Sequence, residues 1–175
     1  MELAVLFLPL SLLFVGAVLV LNGLWMLGHI SDREIPVINF AVAAITSIVA
    51  LLILLNADDP ADVSAAAFTL LFSITYAWVG INRFTDTDGK GLGWFSLFVS
   101  LTVLPKGIID VANALTFMDV WLGLSWIAWS GLWFMYFLTL ALQKNITTMT
   151  ACATLAAGVI TAWAPAMSII YVGLA

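Results

Sequence analysis

Six apolar stretches of about 20 residues, separated by short polar breaks, constrain this chain more than any other feature. A helix of that length crosses a hydrocarbon layer of about 30 Å, and inside lipid only helices or closed barrels satisfy every backbone N–H and C=O. The stretches run roughly over 3–28, 36–55, 64–82, 92–112, 118–142 and 147–172. Composition points the same way. Of the 175 residues, 64% are hydrophobic and 9% charged, whereas a soluble domain carries about a quarter charged residues. The sequence therefore reads as an all-α integral membrane protein, a single domain over 1–175 with six transmembrane helices. The first stretch is not read as a cleaved signal peptide: it lacks a basic leader, carries Glu2, and its apolar run is too long.

The breaks have recognisable chemistry. "HISDREIP" ends with Pro36, suited to a first helical turn. "NADDPAD" offers Asp62, with Ser64 beyond it, as a cap for the third helix. "RFTDTDGKG" follows the third helix, "NALTF" with Asp119 opens the fifth, and "KNITT" precedes the sixth. The first, third and fifth loops carry Arg33, Arg83, Lys90 and Lys144, against Lys106 alone on the other side. The positive-inside rule then places the odd loops in the cytoplasm and both termini outside. The spans become three two-helix hairpins, each turning on the cytoplasmic side.

Several function classes lack their residues. The span centres contain no Asp, Glu, Lys, Arg or His, the groups that bind or relay a coupling ion within a membrane. Lys106 and Asp110 are the deepest charges, four apart on the fourth span. They are placed to pair on one helix face, to snorkel, or to stand at a pore mouth. Pro105 is read as bending that span. No nucleophile–base pair is evident, so no catalytic residue is assigned. Cys152 is the single cysteine and His29 the single histidine, which leaves no metal or disulfide pattern and no cofactor motif. No basic cluster suggests nucleic acid.

The fifth span carries "VWLGLSWIAWSGLWFMYF", with four tryptophans. At 100° per residue, Trp126, Trp129, Trp133 and Phe137 fall within an arc of about 80°, with Leu122 and Ser130 close by. Trp121 points elsewhere and reads as an interfacial anchor. The third span has a matching face of Phe72, Tyr76, Val79 and Arg83, and the first a stripe of Leu12, Val15, Leu19 and Asn22. In the sixth span, Thr154, Gly158, Ala162 and Ala166 recur every four residues and allow a close helix approach. Such rings either pack helices, face lipid, or wall a narrow slot. A slot would suit a flat, neutral solute, whose lost water hydrogen bonds cost several kcal/mol unless replaced, while ions would find no charged ring to offset their larger cost.

The same segments resemble the bacterial urea and amide channel family (AmiS/UreI). The similarity is carried by "FVGAVLVLNGLWMLG", "VINF", "LLFSITYAWVGIN", "WFSLFVSLTVLPKG", "WIAWSGLWF" and "GVITAWAPA", in order across all six spans. The resemblance implies a protomer of three hairpins around its own pore, a homohexameric ring in the lipid of the bacterial inner membrane, and passive conduction of urea or short-chain amides toward a cytoplasmic urease or amidase. It implies constrictions at Leu12, Val15, Leu19, Phe72, Tyr76, Trp126, Trp129, Leu132 and Trp133, with Asn22 and Asn82 as polar pore-end positions. Acid-gated members carry a long, histidine-rich outer loop and a carboxylate in the sixth span. This chain has "NADDPAD" and the neighbourhood of Ala157 instead. The expectation is a channel without histidine gating, in which Asp58, Asp59 and Asp62 are either solvated loop groups or responders to strong acid. An ion-coupled transporter of a small polar solute and a non-transporting membrane subunit remain the alternatives.

Overall fold

The computed structural model describes residues 3–85 and 87–174, with the side chain of Leu174 left aside. Glu2 lies outside the described residues. Among the described residues, six helices are long and apolar enough to cross a membrane: α1 (Leu3–Met26), α2 (Ile35–Leu55), α3 (Pro60–Thr85), α4 (Lys90–Ala112), α5 (Phe117–Ala141) and α6 (Thr147–Gly173). Their bounds fall within four residues of the ranges read from hydropathy, and among the described residues there is no strand. Loops α1–α2, α3–α4 and α5–α6 share one end of the bundle, called lower here. Loops α2–α3 and α4–α5 share the upper end.

Local chemistry sets the ends. Pro36 occupies the first turn of α2. Thr116 and Asp119 form a reciprocal capping box on α5: Asp119 N–H donates to Thr116 Oγ1 at 3.1 Å, and Thr116 N–H to Asp119 Oδ2 at 2.9 Å. The start of α3 corrects the sequence reading. The cap is neither Asp62 nor Ser64 but Asp59, whose Oδ1 accepts the N–H groups of Ala61 and Asp62 at 2.7 and 3.0 Å. Pro60 then begins the helix, so both residues named from sequence lie inside its first turns. α4 runs unbroken through Pro105.

Packing sharpens the hairpin picture. The most extensive seams join α2 to α3, α4 to α5, and α1 to α6, while helices sharing a lower loop touch less. Two of the three two-helix units are thus hairpins closed by upper loops, and the third closes the ring between the first helix and the last. Loop positions fix which helices run antiparallel; small residues decide which of them approach. A Cβ added to Gly16 would meet Trp163 N at 2.8 Å, and one added to Gly158 would meet Val20 N at 2.9 Å. Backbone cannot yield to either. The small stripe Thr154–Gly158–Ala162–Ala166 is therefore occupied by seating α1, with Thr154, Ala162 and Ala166 fully buried. Hydroxyl pairs add to the seams, Thr46 with Ser73 at 2.7 Å and Ser100 with Ser130 at 3.3 Å. Such bonds contribute only about 0.6 kcal/mol each in a membrane, so close packing of the helices stabilises the seams more. Ser130 belongs to this α4–α5 seam.

Two π-helical segments interrupt the regular winding, Phe137–Ala141 at the end of α5 and Gly158–Trp163 in the middle of α6. Hydropathy periodicity cannot reveal them, because one added residue per turn leaves an apolar run apolar. Phe137 belongs to the first. Although helical spacing puts it on the tryptophan side, Phe137 packs on Trp94 of α4 at 5.1 Å and lines none of the cavities described below.

Candidate functional site

A file of three cavities runs through the bundle between α1, α3 and α5, with α4 contributing to all three walls and α2 to the upper one. The upper cavity, about 270 Å³, is walled by Leu8, Leu12 and Val15 of α1, Phe68 and Phe72 of α3, and Trp126 and Trp129 of α5. The central one is only about 30 Å³ and is lined by Leu19, Asn22, Phe72, Tyr76, Leu132 and Trp133, among others. The lower cavity, about 440 Å³, opens among Trp25, Asp32, Asn82, Arg83, Asp88 and Tyr136. Phe72 and Trp129 belong to both the upper and central walls; Val79, Leu92 and Tyr136 belong to both the central and lower walls. The file thus narrows to a waist that holds one or two water-sized particles.

Aromatic rings set the width of that waist. Phe72 sits amid the stripe on α5, with ring centroids 5.6 Å from Trp126, 5.0 Å from Trp129 and 4.8 Å from Trp133. Tilted and edge-to-face pairs at these distances are worth about 0.5–1.5 kcal/mol each beyond their area. Phe72 is therefore held by three partners at once. The helical spacing of α3 and α5 makes this possible, since each presents one aromatic every turn toward the other.

Polar groups around the waist are mostly committed. Trp129 Nε1 donates to Thr161 Oγ1 at 2.7 Å, and the Thr161 hydroxyl donates to the Ala157 carbonyl at 2.6 Å. Trp121 Nε1 donates to the Ile160 carbonyl at 3.0 Å. Both tryptophans therefore dock on the π segment of α6, and Trp121 does more than anchor at the interface. Asn22 and Asn39 exchange amide hydrogen bonds at 3.1 and 2.7 Å, and Asn39 also donates to the Ile35 carbonyl. Tyr136 OH pairs with Thr154 Oγ1 at 2.9 Å. The Tyr76 hydroxyl is different. It is buried, lines the central cavity, and has no hydrogen-bond partner among the described residues. This hydroxyl is thus free of protein partners and able to donate to whatever occupies the cavity.

Among the described residues, no charged side chain lines the central cavity. The upper cavity has Lys106 and Asp110, paired with each other. The lower one has Asp32, Arg83 and Asp88. Asp32 accepts from Trp25 Nε1 at 2.6 Å and faces Arg83 Nη1 at 3.7 Å, while the guanidinium lies 5.1 Å above the Trp25 ring. Asp88 accepts from the Lys90 N–H at 3.1 Å and pairs with its ammonium at 3.0 Å. These bonds hold its carboxyl below the usual carboxylate range, the backbone bond contributing most.

The residues singled out from sequence distribute along the file. Leu12, Val15 and Trp126 stand in the upper wall, Phe72 and Trp129 at the upper neck, and Leu19, Asn22, Tyr76, Leu132 and Trp133 around the waist. Asn82 stands in the lower wall, its Oδ1 accepting from Thr87 Oγ1 at 2.9 Å. Sequence reasoning missed Asn39, although a lone amide within an apolar span is a readable signal. It also missed Thr161, Leu92, Ser96 and Tyr136, which resemble ordinary span residues until tertiary packing brings them together. His29 lies in an exposed lower loop, and Cys152 is free and exposed on α6.

Residues 7–172 match the model of a protein family described as AmiS/UreI family transporter. Over 163 residues the chain is 42% identical to a protein of Mycolicibacterium smegmatis described as an amidate-substrate transporter, covering 91% of this chain and 75% of that one. It is 29% identical over 185 aligned positions to the acid-activated urea channel of Helicobacter pylori, covering 91% and 95% of the two chains. The crystal structure of the Helicobacter pylori urea channel superposes with a TM-score of 0.83 at 27% identity, covering 93% of this chain and 97% of that one. The cryo-electron microscopy structure of that channel in its closed state gives 0.85 at 28% identity, covering 94% and 97%.

Proposed function

The chain belongs to the AmiS/UreI family of transporters, and on that premise we propose that it is a passive channel for urea and short-chain amides. The observation that carries this reading is the waist: an aromatic, uncharged neck of about 30 Å³ joining two wider cavities. An ion entering it would shed water with no fixed charge to replace it. A flat, neutral molecule of four heavy atoms instead slides between ring faces, and its carbonyl oxygen meets the waiting Tyr76 hydroxyl. Leu12, Val15, Leu19, Phe72, Tyr76, Trp126, Trp129, Leu132 and Trp133 form the constricting wall in this proposal. Asn22, held by Asn39, and Asn82 supply polar edges below it. The whole chain acts as one channel domain.

The protein sits in the bacterial inner membrane with the upper mouth and both termini outside, following the four-to-one bias of basic residues toward the lower loops. It assembles as a homohexamer and delivers its solute to a cytoplasmic urease or amidase. Its upper loop "NADDPAD" has no histidine, so conduction does not switch on near pH 6. Stopped-flow shrinkage and reswelling of proteoliposomes tests the reading with urea, acetamide and glycerol at pH 5 and 7.5. Fast, dissipative urea or acetamide flux, equal at both pH values and indifferent to collapsed proton and sodium gradients, is the expected result. Accumulation against a solute gradient would replace the channel with a coupled transporter, and no flux above bare lipid would leave a non-transporting subunit.

A further inference from the structure

The two charges of the upper cavity have no part in the waist. Lys106 and Asp110 lie one turn apart near the upper end of α4, and Lys106 Nζ donates to Asp110 Oδ2 at 2.5 Å. A pair that merely anchored the helix end would snorkel outward to water. Both side chains instead face the cavity, about 30% exposed (31% and 29%). The ammonium lies 5.9 Å from the Phe68 ring centroid and 5.7 Å from that of Trp126, two rings that also wall the cavity leading down to Phe72 and Trp129. A solute in the upper cavity therefore has this pair within its wall.

The bonding capacity left over has a defined shape. An ammonium has three donor hydrogens and a carboxylate has two accepting oxygens. The mutual bond uses one hydrogen and Oδ2, leaving donors on Lys106 and an acceptor, Oδ1, on Asp110. A primary amide or urea carries the converse set, a carbonyl oxygen that accepts and an N–H that donates. We propose that Lys106 and Asp110 form a capture subsite for the amide group of the permeant, Lys106 binding its oxygen and Asp110 its N–H. Both bonds are charge-assisted, which makes them about twice as strong as neutral ones. The pair as a whole is neutral, so an anion meets Asp110 and a cation meets Lys106. It thus selects a neutral dipole before the waist selects for size. A polyol lacks the strong carbonyl acceptor, and a fully N-methylated amide lacks the donor.

This subsite rests on the channel reading, and the experiment separates the two. Initial flux into proteoliposomes is measured against concentration for acetamide and N,N-dimethylacetamide, with wild type, Lys106→Met, Lys106→Arg and Asp110→Leu. The half-saturating acetamide concentration is expected to rise roughly three- to tenfold in Lys106→Met and Asp110→Leu with the maximal rate retained, and to stay near wild type in Lys106→Arg. Discrimination against the dimethylated amide should shrink in Asp110→Leu. An unchanged half-saturating concentration, or a fall in maximal rate alone, would overturn the subsite and leave a structural ion pair. Absence of amide flux in wild type itself would overturn the channel reading instead.

Discussion

The upper and lower cavities draw their polarity from different parts of the chain. The upper one is walled by helix faces, and its two charges stand on a single turn of α4. The lower one gathers Trp25 from the end of α1, Asp32 from the first loop, Arg83 from the end of α3 and Asp88 from the third loop. Its main contacts, Trp25 to Asp32 to Arg83, tie a loop to a helix end. The upper mouth is thus shaped by the bundle itself, and the lower mouth by loops pinned onto it. Between them the waist carries no charge, so each mouth keeps its charges paired without exposing an ion to the narrowest point.

The largest expected effect comes from removing the divider between the two. Trp133→Ala takes out a ring 4.8 Å from Phe72, at a cost of about 3–5 kcal/mol by the usual range for buried aromatics. It should let propionamide and larger amides pass relative to urea; unchanged solute selection in proteoliposome flux would remove Trp133 from the constriction. Next is Thr161→Val, which leaves the buried Trp129 N–H without its acceptor and costs about 1–3 kcal/mol. Solute selectivity and tryptophan fluorescence should both shift, and Thr161→Ser should restore them. If valine behaves as serine does, Trp129 is positioned by packing alone.

Asp32→Asn probes the lower mouth, where the partners are largely solvated. The Asp32–Arg83 contact is long and Asp32 is exposed, so its loss should lower stability by no more than about 1 kcal/mol. Flux should change less than in either waist variant. A loss as large as that of Trp133→Ala would mean that the loop, and not the aromatic neck, limits passage.

The smallest effect concerns acid. Asp88 is held below the ordinary carboxylate range by Lys90, so its contribution is present above the unfolded value of about 4 and is lost only as pH falls through the lower folded one. Thermal unfolding of the detergent-solubilised protein should therefore not register Asp88 between pH 7.5 and 5. An Asp88→Asn variant whose melting temperature diverges from wild type within that window would contradict this.

How much could be read beforehand follows from what each signal measures. Hydropathy located all six helices, because burying a polar backbone in lipid leaves the chain few other options. Helical spacing gathered Trp126, Trp129 and Trp133 onto one face, but it did not tell that Phe137, on the same side, packs against Trp94 of α4. The cap of α3 was misplaced because three aspartates compete within "NADDPAD", and only the backbone course selects Asp59.

The sequence by itself determined the class of solvent, the number of crossings and the aromatic faces, since these depend on composition and on a 3.6-residue repeat along one segment. The tertiary structure alone decided that α1 closes the ring against α6 through Gly16 and Gly158. It also decided that Asn22 meets Asn39 and that Trp129 hands its proton donor to Thr161 rather than to the cavity. Those contacts join residues from different helices, and no repeat within one helix encodes the register of another. The unpartnered Tyr76 hydroxyl is legible only there as well, because a missing partner is a property of the space around a side chain.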